Sequence, residues 1–228
     1  GLSFETLSEL NPRLVYAAIR GFGDPRSGKS PYSDWPSYDV VAQAMGGVMS
    51  LTGPDADSFT KVGPGVGDIF SGMVMAFGIL AALRLAEATG EGQFVDVAMY
   101  DAVLSLCERA VYLNDFNGTT PGPEGNNHPF LAPFGLFKAK DGAVAIGVVE
   151  DKFWQILADA MGGDTLCNNA KFATRAARAK HKDALNSLVE TWTKAHTKAE
   201  LSTILGSKIP FGPLNSITDI VDNPPVLQ

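Results

Sequence analysis

One apolar run in this chain is far longer than the rest. Val74 to Leu85 is almost unbroken apolar sequence, and it follows Val62-Gly63-Pro64-Gly65-Val66-Gly67-Asp68-Ile69-Phe70-Ser71-Gly72-Met73. Glycine and proline at 63, 64, 65 and 67 cannot carry a regular element, so 62–67 reads as a tight loop. The pattern behind it predicts a helix from about Asp68 to Ala88, stopped at Thr89-Gly90. Asp68 is expected at or near the N-cap, where a carboxylate accepts first-turn N–H groups and the helix dipole favours its charge. Gly72, Ala76, Gly78, Ala81 and Ala82 are the small residues of a closely packed core helix.

The flanking pattern supplies the other elements. Residues 3–11 predict a short helix capped by Ser3 and ended by Pro12, and Leu14 to Arg20 a buried strand. Gly21 to Pro36 is a long polar loop carrying Tyr32 and Trp35, and loops of that length are usually functional or mobile. Ser37 is expected to cap a helix over Tyr38 to Met49. Val40, Val41, Ala44, Met45 and Val48 would form its apolar face, with Asp39 and Gln43 on the other. After Glu91-Gly92, Gln93 to Val97 predicts a strand and Ala98 to Leu113 a helix. Strand–helix–strand–helix order implies a parallel, doubly wound sheet.

Asn114 to Pro133 has little periodicity and is the candidate domain boundary. Beyond it, Phe134–Ala139 and Ala143–Val149 predict a hairpin turning at Lys140-Asp141-Gly142. Helices are expected over Glu150–Met161, once or twice within Ala173–Ala195, and over Lys198–Leu205. Ile209 to Leu214 is a rigid extended segment, and Asp222-Asn223-Pro224-Pro225 closes the chain without a capping element. The fold class is therefore α/β. Residues 1–125 form part of a doubly wound, Rossmann-like large domain, and 126–228 a small α+β domain with a site loop at its start.

Composition narrows the function classes. The chain has 228 residues, 45% of them apolar and 19% charged, which suits a globular protein with a real core. A net charge of −7 without a basic block argues against nucleic acid or an acidic membrane as partner. The run from Ile69 stops at Arg84 after about 15 residues, short of the ~20 that span a bilayer. Cys107 and Cys167 lie far apart, a usage that fits a reducing, cytoplasmic setting, and no secretory leader pattern opens the chain.

Generic site patterns give little. His128, His181 and His196 are isolated, so no metal site is expected; His128, in the long loop, is the one with a candidate site role. No serine elbow and no phosphate loop are expected, and Gly63-x-Gly65-x-Gly67 has the wrong spacing for a dinucleotide fingerprint. That leaves Asp68, which the local pattern reads either as a plain helix cap or as a carboxylate nucleophile at the mouth of a glycine-rich loop.

A set of ordered motifs goes further. Asn11-Pro12-Arg13-Leu14-Val15-Tyr16, Gly21-Phe22-Gly23, Tyr38-Asp39-Val40-Val41-Ala42-Gln43-Ala44 and Gly46-Gly47 come first. Gly67-Asp68, Ser71-Gly72, Gly90-Glu91-Gly92-Gln93, Val95-Asp96-Val97 and Asp101-Ala102 follow. His128-Pro129, Ala132-Pro133-Phe134-Gly135 and Pro210-x-Gly212-Pro213 complete the set. In this order, over nearly the whole chain, they resemble the family III CoA-transferases, the group that includes formyl-CoA transferase and carnitine CoA-transferase.

The resemblance implies that CoA moves from an acyl-CoA to a free carboxylic acid, and that Asp68 attacks the thioester to give an aspartyl anhydride and then an aspartyl-CoA. It implies substrate- or CoA-binding roles for Tyr38, Asp39, Gly67, Met99 and His128. The loop Asn126–Leu131 stands where the family has a mobile glycine-rich loop, and Pro36 stands where formyl-CoA transferase has a CoA-binding lysine. CoA enters as a substrate, with no resident cofactor. Family members are interlocked homodimers. Relative to them, the chain lacks the first strand–helix unit and the C-terminal return, which marks it as a fragment whose isolated activity is in question. Racemases of the same superfamily carry a histidine where this chain has Tyr38, which favours transfer. An acyl-CoA racemase and an inactive CoA-binding module remain the alternatives.

Overall fold

The computed structural model describes residues 1–222, and these divide into two compact units, Gly1–Gly125 and a second that begins at Asn126. Each is described by itself.

In the first unit, α1 (Phe4–Leu10) starts at Ser3, whose hydroxyl accepts the Thr6 N–H. Strand β1 (Tyr16–Arg20) runs parallel to β2 (Phe94–Ala98), in register from Tyr16 opposite Phe94 to Arg20 opposite Ala98. The rings of Phe4, Tyr16 and Phe94 gather at one end of the pair, with Tyr16 stacked on Phe94 at 5.6 Å. Between the strands come α2 (Asp39–Met45), a single 3-10 turn (Val48–Leu51) and α3 (Val66–Thr89), and the connection closes over the strand pair as a parallel crossover. α4 (Met99–Ser105) and α5 (Glu108–Asn117) follow β2.

Several expectations change here. β1 is not a buried strand: its face carrying Ala17 and Ile19 is exposed. α2 stops four residues early, because Gly47 turns at φ 95° and Gly46 packs so close to Val103 that a methyl there would sit 2.7 Å from it. Its buried residues are Ala42 and Gln43, with Val41 and Met45 half-buried, while Val40 and Ala44 face out, so the apolar face read from the sequence holds only in part and Gln43 is on the inner side. Ser37 makes no cap; its hydroxyl reaches only the Tyr38 carbonyl. The helix expected over Ala98–Leu113 breaks at Leu106-Cys107 into α4 and α5.

α3 ends as expected at Gly90, φ 80°, but it is not a core helix within this unit. It buries one stripe, Gly67, Ser71, Met75, Ala82 and Ala86, and packs Met75 against Val97 and Ala102. Ile69, Met73, Phe77, Leu80 and Leu83 are exposed, Phe77 by 70%. The helix runs on past Arg84 to Thr89, and at 24 residues it is long and apolar enough to cross a membrane by length and composition.

The second unit is a three-stranded antiparallel sheet under helices. β3 (Phe134–Ala139) and β4 (Gly142–Gly147) form the expected hairpin, and β5 (Phe211–Pro213) adds to the free edge of β4. α6 (Asp151–Gly162), α7 (Asp164–Cys167), α9 (Lys182–Thr193) and α10 (Lys198–Leu205) supply most of the rest of one continuous core, and α8 (Arg175–Lys180) buries Arg178. Trp154, Leu157, Leu185, Val189, Leu201 and Leu205 are buried in it against Phe137, Val144 and Ile146 of the sheet. The extended segment Ile209–Leu214 is thus a sheet strand. α11 (Ile217–Val221), opened by a Ser216/Asp219 capping box, was not expected; Asn223-Pro224-Pro225 lie outside the described residues.

Candidate active site

The glycine loop is held by one buried amide. Gln43, on the inner face of α2 and 0% exposed, accepts the Val62 N–H through Oε1 at 3.0 Å. Its Nε2 donates to both oxygens of Asp39, at 3.1 and 2.9 Å. Lys61 folds back over the loop and donates to the carbonyls of Val62 and Gly63. Loop residues 62–65 therefore have defined partners and deliver the chain to α3 in a fixed direction.

At the start of α3 the structure corrects the placing of Asp68. The helix begins at Val66, and its cap residue is Gly65, which has no side chain to offer. The capping carboxylate comes from α2: Asp39 Oδ1 accepts the Gly67 N–H at 2.9 Å. Val66 N–H bonds the Pro64 carbonyl and Ile69 N–H that of Gly65. Asp68 is the third residue of the first turn and is exposed. Among the described residues its carboxylate makes no hydrogen bond. Asp68 therefore does not cap the helix with its own side chain; it stands in the first turn, where the helix dipole favours the anion.

The two carboxylates come together around Gly65. A methyl on that glycine would sit 3.6 Å from Asp39 Cγ and 3.7 Å from Asp68 Oδ2. At Gly67 a methyl would meet Asp39 Oδ1 at 3.1 Å and the Ala42 methyl at 3.2 Å, so a side chain there would push α2 off the cap. Tyr38 precedes Asp39 and is 79% exposed. Met99 opens α4 but is buried against Ala42 and Val103, so it backs the α2 surface that carries the site and does not itself line open space. Tyr38, Asp39, Gly67 and Asp68 are thus assembled in the first unit, with Met99 behind them.

His128 belongs to the second unit. Its Nδ1 accepts the Phe130 N–H at 3.1 Å, and its ring meets Phe134 edge-on at 5.2 Å. The loop around it is tied down by backbone bonds, Leu136 N–H to Asn126 and His128 N–H to Phe134, where the family resemblance implied a glycine-rich mobile loop.

A further feature lies at the carboxyl ends of β1 and β2. A cavity of about 350 Å³ is lined by Gly23, Asp24, Lys29, Asp96, Ala98 and Asp101, among others. Gly23 to Ser30 spells the spacing of a phosphate loop, G-x-x-x-x-G-K-S, which the sequence reading passed over. The structure withholds that function: turns, not a helix, follow Ser30, so no helix N-terminus faces a phosphate. The segment instead wraps Asp24, which the Arg26 backbone N–H, with Arg20 and Arg26 side chains, holds below the usual carboxylate range. Other nucleophiles are poorly placed. Burial pushes both thiols up, Cys107 with Glu108 beside it and Cys167 with Asp159 beside it. Among the described residues no group of three or more His, Cys, Asp or Glu is arranged to hold a metal ion.

The sequence model of CoA-transferase family III matches residues 1–228. The chain belongs to the family III CoA-transferases. A succinyl-CoA:mesaconate CoA-transferase of Haloarcula marismortui is 44% identical over 221 residues, covering 97% of this chain and 55% of the relative. A succinate–glutarate CoA-transferase of Agrobacterium fabrum is 34% identical over 227 residues, covering 99% and 56%. The crystal structure of a CaiB/BaiF family protein from Brucella suis superposes with a TM-score of 0.82 at 32% identity, over 99% of this chain and 59% of that one. The chain spans little more than half the length of the family III CoA-transferases it matches. Over that length the family's α/β architecture is present, and Asp39 and Asp68 stand side by side in it.

Proposed function

We propose that the full-length protein transfers CoA from an acyl-CoA to a free carboxylic acid, and that Asp68 is its covalent nucleophile. One observation carries the reading: Asp39 caps α3, so the Asp68 carboxylate next to it is exposed and without a hydrogen-bonded partner among the described residues. An Asp68 oxygen attacks the thioester carbonyl, the C–S bond breaks, and the CoA thiolate leaves an acyl-aspartyl anhydride. The thiolate then attacks the Asp68 carbonyl of that anhydride, which releases the donor acid with one oxygen from Asp68 and leaves an aspartyl-CoA thioester. The acceptor carboxylate repeats the sequence in reverse, and Asp68 is regenerated. Each tetrahedral oxyanion needs nearby N–H donors, and the dipole at the amino end of α3 adds to their stabilisation.

The names of the two relatives above support short dicarboxylic acids, with succinyl-CoA as the first donor to try. We take the enzyme to be a cytoplasmic homodimer without a resident cofactor, with Tyr38 near the substrate carboxylate and Asp39 beside the site holding the start of α3.

The test uses the longest natural form of the chain, mixed with succinyl-CoA and hydroxylamine, digested and weighed. A hydroxamate on the Asp68 peptide that requires acyl-CoA supports the reading. A folded, CoA-binding protein whose Asp68 peptide stays unmodified overturns it; exchange of the substrate α-proton with solvent in that case moves the assignment to a racemase.

A further inference from the structure

We propose that Gln43 is a positioning residue for acyl transfer: its amide locks the Asp39 carboxylate onto the amino end of α3 and so keeps Asp68 free to attack. The inference rests on the reading of Asp68 as nucleophile and adds a residue to it.

A fully buried glutamine in a short helix is costly unless its polar atoms are paired, and an apolar side chain of that size would fill the space without the cost. Every hydrogen bond that Gln43 makes goes to the site. Oε1 takes Val62 N–H; Nε2 gives to both oxygens of Asp39, with the Val62 and Pro64 carbonyls at longer range, 3.5 and 3.4 Å. The amide is therefore the joint between the glycine loop and the capping carboxylate. With both Asp39 oxygens engaged, Oδ1 is aimed at Gly67 N–H. Without that clamp Asp39 can rotate off the cap, and the uncapped first turn then draws on the next carboxylate available, Asp68.

The choice of amide also has a charge logic. The ionisable groups around Gln43 are Asp39 on its own helix, Asp68 across Gly65 and Lys61 over the loop. A neutral donor stabilises the Asp39 anion without adding a charge that would compete for Asp68. A glutamate in its place keeps the shape and the bond from Val62 N–H but sets a second carboxyl against Asp39, and the pair can be satisfied only by sharing a proton.

The experiment compares Gln43→Glu, Gln43→Leu and the unmodified full-length protein by the rate of hydroxamate formation on Asp68 across pH, alongside thermal unfolding. Gln43→Glu should lose roughly 100-fold in rate near neutral pH with KM little changed, the scale expected for a small misplacement of a reacting group. It should recover most of that loss as the pH falls far enough to place one proton between the introduced carboxyl and Asp39. Gln43→Leu should be slow at every pH. Gln43→Glu acylating as fast as the unmodified protein throughout, or slow without recovery, overturns the proposal. If the unmodified protein forms no hydroxamate, the failure belongs to the nucleophile reading, and stability then decides on Gln43. Protonation of the paired carboxyls in the folded state makes Gln43→Glu as stable as the unmodified protein at low pH and less stable as pH rises; a pH-independent difference overturns the clamp itself.

Discussion

Among the described residues the second unit closes one core, with Trp154, Leu157, Leu185, Val189, Leu201 and Leu205 buried under a three-stranded sheet. The first unit has instead two small clusters, Ala42–Met99–Val103 and Met75–Val97–Ala102, and leaves Ile69, Met73, Phe77, Leu80 and Leu83 of α3 exposed. The difference lies in the helices. α6 and α9 each have a polar and an apolar face, so each buries the face its sequence announces. α3 is apolar nearly all round, and such a helix needs cover on every side. Among the described residues of its own unit it has cover on one. The unit that carries the candidate chemistry is therefore the one whose packing is least complete over these residues, and it relies on hydrogen bonds at the Gln43–Asp39–Gly67 joint for its local order.

The largest effect separates chemistry from packing. Asp68→Asn is exposed and should leave thermal unfolding unchanged, while acyl transfer by the full-length protein falls by at least ~10³-fold, because an amide cannot form the anhydride. Transfer within about tenfold of the original would break the division of labour described here. Next, Leu157→Ala in the closed core should cost about 2–5 kcal/mol in denaturant unfolding, the range for a buried leucine lost without collapse of the site. Asp39→Ala should cost about 1–2 kcal/mol, from the lost cap of α3 and the stranded Gln43 amide. A cost near zero would mean that the cap contributes nothing to the fold. Phe77→Ser on the open face of α3 should change the stability of this chain by about 0.5 kcal/mol or less; a loss like that of Leu157→Ala would show the face to be covered.

The smallest expected effect concerns pH. The Arg26 side chain lowers the Glu5 carboxyl to about 2, and the Arg26 backbone N–H lowers Asp24. Both folded values lie below the unfolded ones, so the stabilisation is present at neutral pH and disappears as pH falls through the acid range towards about 2. Glu5→Gln should flatten that part of the stability–pH curve, and an unchanged curve would remove Glu5 from the account.

The sequence was most legible where local chemistry decides. Ser3 and Gly90 mark helix ends, the Lys140-Asp141 turn sets the hairpin register, and the ordered motifs place the chain in its family. It misled where distant partners decide. Asp68 reads as a cap because a carboxylate follows a glycine loop, yet the cap arrives from Asp39, twenty-eight residues away from Gly67 in sequence. Gln43 reads as surface because it is polar, and its burial is intelligible only once Val62 and Asp39 are beside it. α11 was missed because Ser216 and Asp219 form a capping box in five residues without a core face. The phosphate-loop spelling at Gly23–Ser30 shows the converse: a pattern without its following helix has no site to make.

The central claim is that Asp68 bonds covalently to both acids in turn, and oxygen bookkeeping tests it most directly. The full-length protein would be given succinyl-CoA and an acceptor dicarboxylate labelled with heavy oxygen in its carboxylates, for a single turnover. The account predicts that one labelled oxygen remains on the peptide containing Asp68 and none on the peptide containing Asp39. Product acyl-CoA formed while the Asp68 peptide stays unlabelled would contradict it.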